Sequence, residues 1–181
     1  MSAARHRAVA PVIVICPWRS VPDCVARHGA THVVSLLGVE GRPRTPPGIA
    51  RERHLDIDID DISTAIDGYV LPESGHVERL IGFARDWAMA GPLVVHCYAG
   101  VSRSTAAALA VLCLYNEGRE YEAARLLRQR APHARPNRRL VHLADRAMGL
   151  DGRLIDAVEA IGEGNPYDGV PRTVELPVQL A

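Results

Sequence analysis

The alternation of apolar runs with amphipathic segments along the chain predicts strands that alternate with helices. Short apolar or β-branched runs predict strands at Val12–Cys16, Thr31–Leu37 and Leu93–His96. The alternating stretch "HLDIDI" predicts a strand with one polar face at His54–Ile59. Apolar positions three and four residues apart predict helices; these cover Pro22–His28, Pro72–Ala90, Ser104–Glu117, Tyr121–Arg130, Asn137–Met148 and Asp151–Ile161. This order is typical of a single α/β domain with a central, mostly parallel sheet of four to five strands, flanked by helices.

The helix patterns also indicate where the core lies and where the domain ends. The segment Pro72–Ala90 has one apolar face, and Gly91 is expected to end the helix. The segment Ser104–Glu117 is apolar almost all round, so we expect it in the middle of the domain. Residues 163–181 are rich in proline and glycine, so we assign 1–162 to the domain and 163–181 to a C-terminal tail.

Composition and charge exclude several classes of function. The 21 basic and 21 acidic residues cancel, so no global field attracts nucleic acid or a membrane surface. Every basic residue is arginine, which excludes a Schiff-base lysine and a phosphate-loop lysine. No apolar run is long enough to span a membrane, and "VIVIC" is too short for a signal-peptide core. We therefore expect a cytoplasmic protein that binds neither nucleic acid nor membranes.

One cysteine stands out from the other three by its surroundings. The four are Cys16, Cys24, Cys97 and Cys113; no cluster has zinc-ligand spacing, and a disulfide framework is not expected. Both Cys97 and Cys113 have an arginine six residues later, so this spacing alone is weak. Cys113 lies inside a helix pattern, which indicates a core residue. Cys97 instead follows a buried strand, and a short loop leads from it to Arg103 at the start of a helix.

A strand, a tight loop and a helix N-terminus together form a binding site for anions. We expect the loop to bind phosphate through Tyr98, Ala99, Gly100, Val101, Ser102 and Arg103, with the Arg103 guanidinium gripping two oxygens. Under these donors Cys97 is expected to be a thiolate at neutral pH, and hence a nucleophile toward phosphorus. Ser104 can donate a hydrogen bond to the sulfur. His96 faces away by strand alternation, so we expect it to brace the loop.

The stretch "VVHCYAGVSRST" resembles the signature of the cysteine-dependent phosphatase superfamily, H-C-x-x-G-x-x-R-S/T, and most of all its dual-specificity branch. The order of elements and the stretch "PHARPNRRLVHLADRAMG" are also similar, so the resemblance covers Val12 to about Leu150. Within the superfamily the chain resembles compact bacterial tyrosine-phosphatase-like proteins. The resemblance implies a phosphatase without metal or cofactor, which acts through a phosphocysteine. Its implied substrates are phosphorylated proteins, with phosphotyrosine first and phosphoserine or phosphothreonine next, or small phosphate esters.

The resemblance further implies one aspartate, on a loop before the signature, that protonates the leaving group and later activates water. The candidates are Asp60, Asp61 and Asp67. We favour Asp61 as the catalytic acid, because it is the first of them expected to lie beyond the strand. Asp60 and Asp67 remain alternatives, and so does a solvated acidic loop without a general acid.

Other interpretations stay open at this point. The chain can be a phospho-ligand-binding module with little or no catalysis, an inositol-phosphate phosphatase, or a sulfur-transfer or arsenate-reducing protein. The loop has no basic residue besides Arg103, which favours phosphoproteins over inositol phosphates. Cys16 is either a buried structural thiol or a disulfide partner of Cys97. Tyr98 either lines the pocket mouth or is a surface aromatic, and Asn137 is expected to cap a helix.

Overall fold

Five strands form one sheet in the order β3-β2-β4-β1-β5. The computed structural model describes residues 11–180. The strands are β1 (Val12–Pro17), β2 (His32–Leu37), β3 (His54–Asp58), β4 (Leu93–Cys97) and β5 (Val174–Pro177). The helices of the described residues are α1 (Val21–His28), α2 (Ser74–Trp87), α3 (Arg103–Leu114), α4 (Glu120–Arg130), α5 (Arg138–Met148) and α6 (Arg153–Ala160). The prediction of a mostly parallel α/β sheet of four to five strands is confirmed.

The first four strands are parallel, so their carboxyl ends lie at the same edge of the sheet. Strand β4 lies between β1 and β2, and Pro17 is paired with Cys97 in the register. Loops that leave this edge therefore converge around the end of β4. In open α/β sheets this edge is where ligands bind.

The two faces of the sheet are covered unequally. Helix α1 lies on one face, where it packs on Val14, Cys16, Val33 and Val94. The helices α2 to α6 cover the other face, where they form the larger core. The strand residues in this core, such as Ile13, point away from α1. Because both faces of the sheet are buried at its centre, β1, β2 and β4 are nearly continuous apolar runs in the sequence.

The end of α2 differs from the predicted one for an identifiable reason. Helix α2 ends at Trp87 because Ala88 adopts a left-handed conformation with φ 47°. The Trp87 indole N–H then donates to the Gly91 carbonyl at 3.0 Å, so Gly91 closes the turn beyond the helix. Every residue of α3 from Arg103 to Cys113 is buried, as its apolar pattern predicts.

The final segment contributes to the sheet. Residues 163–181 were assigned to a tail, yet Val174–Pro177 forms β5 and pairs antiparallel with β1. Leu176 is fully buried in the larger core. Residues 1–10 of the predicted domain and Ala181 of the predicted tail lie outside the described range.

None of the helices within residues 11–180 combines the length and apolar character that crossing a membrane requires.

Candidate active site

The loop between β4 and α3 carries the predicted nucleophile. Strand β4 ends at Cys97 and helix α3 begins at Arg103, so residues 98–102 form a loop at the carboxyl edge of the sheet. The N-terminus of α3 adds free backbone N–H groups and a positive dipole end, both favourable for an anion. Cys97 is buried, and its Sγ lies 3.2 Å from the Oγ of Ser104, within hydrogen-bonding distance.

The end of β1 braces this loop. Gly100 has a φ of 76°, in the region that favours glycine. A Cβ on Gly100 would lie 2.9 Å from the carbonyl carbon of Cys16 and 3.0 Å from the nitrogen of Pro17. The Trp18 N–H also donates to the Tyr98 carbonyl at 3.2 Å. Gly100 therefore accommodates the backbone of β1, a neighbour that its place in the motif did not reveal.

The Arg103 guanidinium is buried and held on two sides. Its Nη1 donates to the Ile59 carbonyl at 2.9 Å and to Glu40 Oε2 at 3.1 Å, and its Nη2 pairs with Glu40 Oε1. Its Nε is a buried donor with no acceptor within residues 11–180. A buried donor without a partner costs free energy, and an oxyanion bound at this atom removes that cost. Arg103 is thus fixed in orientation and keeps one N–H for a ligand.

Glu40 is a member of the site that the sequence patterns did not identify. It follows β2, and the Gly38 N–H donates to its Oε2 at 3.0 Å. Burial opposes ionisation of Glu40, but hydrogen bonds from Arg103 and Gly38 outweigh it, so the pKa of Glu40 is lowered. The carboxylate therefore neutralises the buried guanidinium at neutral pH. The sequence gives one indication of this role, because Glu40 is the sole acidic residue between Val39 and Ala50.

Glu40→Gln is expected to lower the free energy of unfolding by about 2 kcal/mol, because the buried Arg103 charge loses its counter-ion. The folded state lowers the pKa of Glu40, so the unfolded chain binds more protons in acid. The stabilisation of the folded state by ionised Glu40 is therefore complete above about pH 5 and is lost as the pH falls further. Urea unfolding of both proteins across this pH range measures it. Glu52→Gln, at an exposed turn, is the matched control; an equal loss there, or a difference that persists in acid, contradicts this role.

The three candidate acids lie in different surroundings. Asp60 is buried, and its carboxylate accepts the Val39 N–H at 2.8 Å and the Val70 N–H at 2.7 Å. It joins the loop after β2 to the loop after β3. Asp67 is exposed, and no described residue donates a hydrogen bond to it. Asp61 is exposed and lies against the loop of residues 98–102.

Two side chains hold Asp61 at that loop. The Ser102 hydroxyl donates to Asp61 Oδ1 at 2.6 Å, and the Asn137 amide donates to the same oxygen at 2.8 Å. Asn137 also caps α5, because its Oδ1 accepts the Leu140 N–H at 3.1 Å. The predicted helix cap is confirmed, and its amide nitrogen has the additional contact with Asp61, which the cap pattern alone does not indicate.

His96 lies on the opposite face of β4 from Cys97, as strand alternation predicts. Its Nε2 is 2.5 Å from the Ser35 hydroxyl, which is also 2.8 Å from His54 Nε2. The Thr45 hydroxyl is 3.0 Å from His54 Nδ1, so a polar chain runs from β4 to the loop after β2. Burial lowers the pKa of His96 to about 4, so the ring is neutral at physiological pH.

Cys16 lies on the other face of the sheet from Cys97. In the register Cys16 is paired with His96, whereas Cys97 is paired with Pro17. Cys16 belongs to the core under α1 together with Cys24, and Cys97 belongs to the larger core. A disulfide needs Cβ atoms that face each other, so the arrangement favours the interpretation of Cys16 as a buried structural thiol.

The remaining residues of interest fall into simple classes. Burial raises the pKa of Cys113 to about 12, as befits a core thiol within α3. Tyr98, the first residue of the loop, is 54% exposed. Among residues 11–180 no group of three or more histidine, cysteine, aspartate or glutamate side chains is arranged to hold a metal ion.

No protein-family model and no curated protein matches this sequence. Solved structures do match. Human tyrosine phosphatase-like serine/threonine/tyrosine-interacting protein aligns over 77% of this chain and 92% of its own, with a TM-score of 0.61 and 21% identity. Human DUSP28 aligns over 81% of this chain and 98% of its own, with a TM-score of 0.61 and 20% identity. The Yvh1 phosphatase domain from Chaetomium thermophilum aligns over 82% and 96%, with a TM-score of 0.57 and 20% identity.

The chain therefore has the fold of the cysteine-dependent protein tyrosine phosphatase superfamily, in the form seen in dual-specificity phosphatases. This agrees with the resemblance drawn from "VVHCYAGVSRST". The further resemblance to bacterial tyrosine-phosphatase-like proteins stays a prediction.

Proposed function

We propose that the protein hydrolyses phosphate monoesters through a phosphocysteine formed on Cys97. One observation carries the proposal: the Cys97 sulfur, the Ser104 hydroxyl, the unpaired Arg103 Nε and the Asp61 carboxyl meet around one loop at a helix N-terminus. A buried thiol, an oxyanion site and a carboxyl group are the components that phosphoryl transfer to sulfur requires.

In the first step the Cys97 thiolate attacks phosphorus, and a bond between sulfur and phosphorus forms as the bond to the leaving oxygen breaks. Arg103 Nε and the loop N–H groups bind the phosphoryl oxygens, whose charge they neutralise in the transition state. Protonated Asp61 gives its proton to the leaving alkoxide or phenoxide. The products are the free alcohol and a phosphocysteine.

In the second step water attacks the phosphorus of the phosphocysteine. The Asp61 carboxylate takes a proton from this water, and the bond between sulfur and phosphorus breaks. The Ser104 hydroxyl, 3.2 Å from the sulfur, donates a hydrogen bond to the departing thiolate. Inorganic phosphate leaves, and Asp61 is again protonated for the next cycle.

The contacts of Asp61 support its role as the general acid. Ser102 and Asn137 both donate to Oδ1, which leaves Oδ2 as the oxygen to carry the proton. Asp60 has both carboxylate oxygens occupied by backbone N–H groups, and Asp67 has no such anchor near the loop. These contacts favour Asp61 over Asp60 and Asp67 as the general acid.

Asn137→Ser is expected to reduce kcat about tenfold for substrates with poor leaving groups. Serine is also a good N-cap residue, so α5 keeps its cap, but the amide donor to Asp61 is lost. We expect little change in KM or in the melting temperature, whereas Asn137→Ala loses stability as well. Steady-state kinetics with aryl phosphates of graded leaving-group pKa measure the effect. A loss of the same size on good and poor leaving groups contradicts a positioning role.

The surroundings of the site favour phosphorylated proteins as substrates. Loop residues 98–102 carry no basic side chain, so a polyanionic inositol phosphate gains only Arg103 there. The loops that Asp60 joins expose the apolar side chains of Val39, Tyr69 and Val70, and exposed apolar groups beside a site suit a polypeptide. We propose phosphotyrosine as the first substrate, followed by phosphoserine or phosphothreonine.

A phospho-ligand-binding module is the second candidate. The match to the human tyrosine phosphatase-like serine/threonine/tyrosine-interacting protein supports this candidate. Binding alone needs neither a thiol under the loop nor a serine hydroxyl at 3.2 Å from it. A third candidate, an inositol-phosphate phosphatase, draws on the match to PTPMT1, solved in complex with PI(5)P, at 18% identity and a TM-score of 0.53.

Turnover and covalent capture together test the proposal. The protein is mixed with an aryl phosphate, quenched in acid within milliseconds to seconds, and digested for mass spectrometry. We expect steady release of the phenol and a phosphoryl group on the peptide that contains Cys97. Binding of phosphate analogues without any turnover indicates the binding module. A panel of phosphopeptides and inositol phosphates then separates the substrate classes.

A further inference from the structure

A cavity of about 500 Å³ lies beside the phosphate loop and has no role in the chemistry above. One wall is Trp18, Arg19 and the start of α1, and the other is the loop segment Pro43–Pro47. His96 also lines it. We call it the proline-walled cavity, because Pro22 on the first wall and three prolines on the second line it.

Both walls of the proline-walled cavity are attached to the phosphate loop. The Trp18 N–H donates to the Tyr98 carbonyl at 3.2 Å. On the other side the loop after β2 carries Glu40, which pairs with Arg103. The walls meet where the Trp18 ring lies 3.0 Å from the position of a Cβ on Gly41. The cavity therefore borders the same edge of the sheet as the loop that follows Cys97, and both of its walls contact residues of that loop or of the helix start.

The lining is positively charged and lacks acids. Arg19 and Arg44 are exposed, and no carboxylate within residues 11–180 forms an ion pair with either. No acidic residue of the described chain lines the cavity, and His96 is neutral at physiological pH. Two guanidinium groups suit a carboxylate or a phosphate.

The wall formed by Pro43–Pro47 is held in place before any ligand binds. Its prolines restrict the backbone, and the Thr45 hydroxyl lies 3.0 Å from His54 Nδ1. Arg42, just before it, forms an ion pair with Asp58 at 2.6 Å. A wall that is already ordered loses little conformational entropy when a ligand binds, which favours affinity.

We propose that the proline-walled cavity binds an anionic side chain that adjoins the phosphorylated residue of a protein substrate. The inference rests on the proposed function, because it requires the phosphoresidue to lie over Cys97. The cavity would accept either a glutamate or aspartate carboxylate or a second phosphorylated side chain, since both offer oxygens to Arg19 and Arg44. Its apolar walls contact the aliphatic or aromatic part of that side chain.

Matched phosphotyrosine peptides test this inference. One has neutral residues around the phosphotyrosine, one has glutamates, one has phosphoserine and one has lysines. For the wild-type protein we expect kcat/KM about tenfold higher with the glutamate peptide than with the neutral one, and the advantage shrinks as salt is added. The phosphoserine peptide shows whether a second phosphate serves as well as a carboxylate.

The variant Arg19→Glu/Arg44→Glu is expected to abolish the preference for glutamate and to favour the lysine peptide. Both residues are exposed and unpaired within residues 11–180, so the fold is expected to persist; Arg19→Gln/Arg44→Gln gives a milder second test. Arg85→Glu, on α2 at the opposite face of the sheet, is the matched control and should keep the preference.

Equal kcat/KM for the glutamate, phosphoserine and neutral peptides in the wild-type protein overturns the inference. An equal loss of preference in Arg85→Glu overturns it as well. If no substrate is turned over, the proposed function fails by itself. In that case the affinities of the same peptides, measured by fluorescence anisotropy, test whether the cavity binds an anionic side chain. We expect the glutamate peptide to bind about tenfold more tightly than the neutral one.

Discussion

Cys97→Ser is expected to abolish hydrolysis of an aryl phosphate, with a loss of at least about a thousandfold in kcat. A serine hydroxyl is not ionised at neutral pH, so it cannot replace the thiolate as the attacking group. Binding of tungstate should change little, because Arg103 and the loop N–H groups that bind the oxyanion remain. Steady-state kinetics and isothermal titration measure the two effects separately.

Cys113→Ser is the matched control, because Cys113 also precedes an arginine by six residues. It lies in the buried part of α3, away from the loop. The same chemical change there should cost some stability and leave kcat per folded molecule as it was. Turnover that survives in Cys97→Ser, or that is lost equally in Cys113→Ser, would falsify the assignment of the nucleophile.

Asp61→Asn is expected to reduce kcat about a hundredfold or more for a phosphate ester with a poor leaving group. Asparagine keeps an oxygen that can accept from Ser102 and Asn137, so the geometry is preserved while the transferable proton is lost. With a good leaving group, which departs without a proton, the loss in the first step should be much smaller. Rates with a graded series of aryl phosphates measure the difference.

A matched variant at the neighbouring candidate acid separates the two assignments. Asp67→Asn is the control, because Asp67 is exposed with no hydrogen-bond donor among the described residues. If Asp67→Asn shows the leaving-group dependence instead, the general acid is Asp67.

The contacts of Glu40 change what Arg103 can do. A guanidinium free to rotate offers two parallel N–H groups to an oxyanion, as the sequence motif suggests. Here both Nη groups are engaged by Glu40 and the Ile59 carbonyl, and Nε is the donor that remains. The loop that carries Glu40 also forms one wall of the proline-walled cavity, so it contacts both Arg103 and the cavity.

Local patterns were sufficient for the regular elements. The apolar runs that end in Cys16 and His96 correspond to β1 and β4 within one residue at each end. The apolar segment after Arg103 corresponds to α3, which begins one residue earlier than predicted and ends at Leu114 instead of Glu117. A strand buried on both faces and a helix buried all round impose strong constraints on composition, which are visible without any partner. The last strand, β5, was missed because a short edge strand has few residues to show a pattern.

The sequence by itself determined the mixed α/β architecture and singled out Cys97 and Arg103, because a strand, a glycine-bearing loop and a helix start are all local features. The tertiary structure alone brought Glu40 to Arg103 and Asn137 to Asp61, across 63 and 76 residues of chain. It also placed Cys16 on the opposite face from Cys97 and formed the proline-walled cavity. Such contacts depend on how loops from different strands meet at one edge of the sheet, and no periodicity along the chain records that.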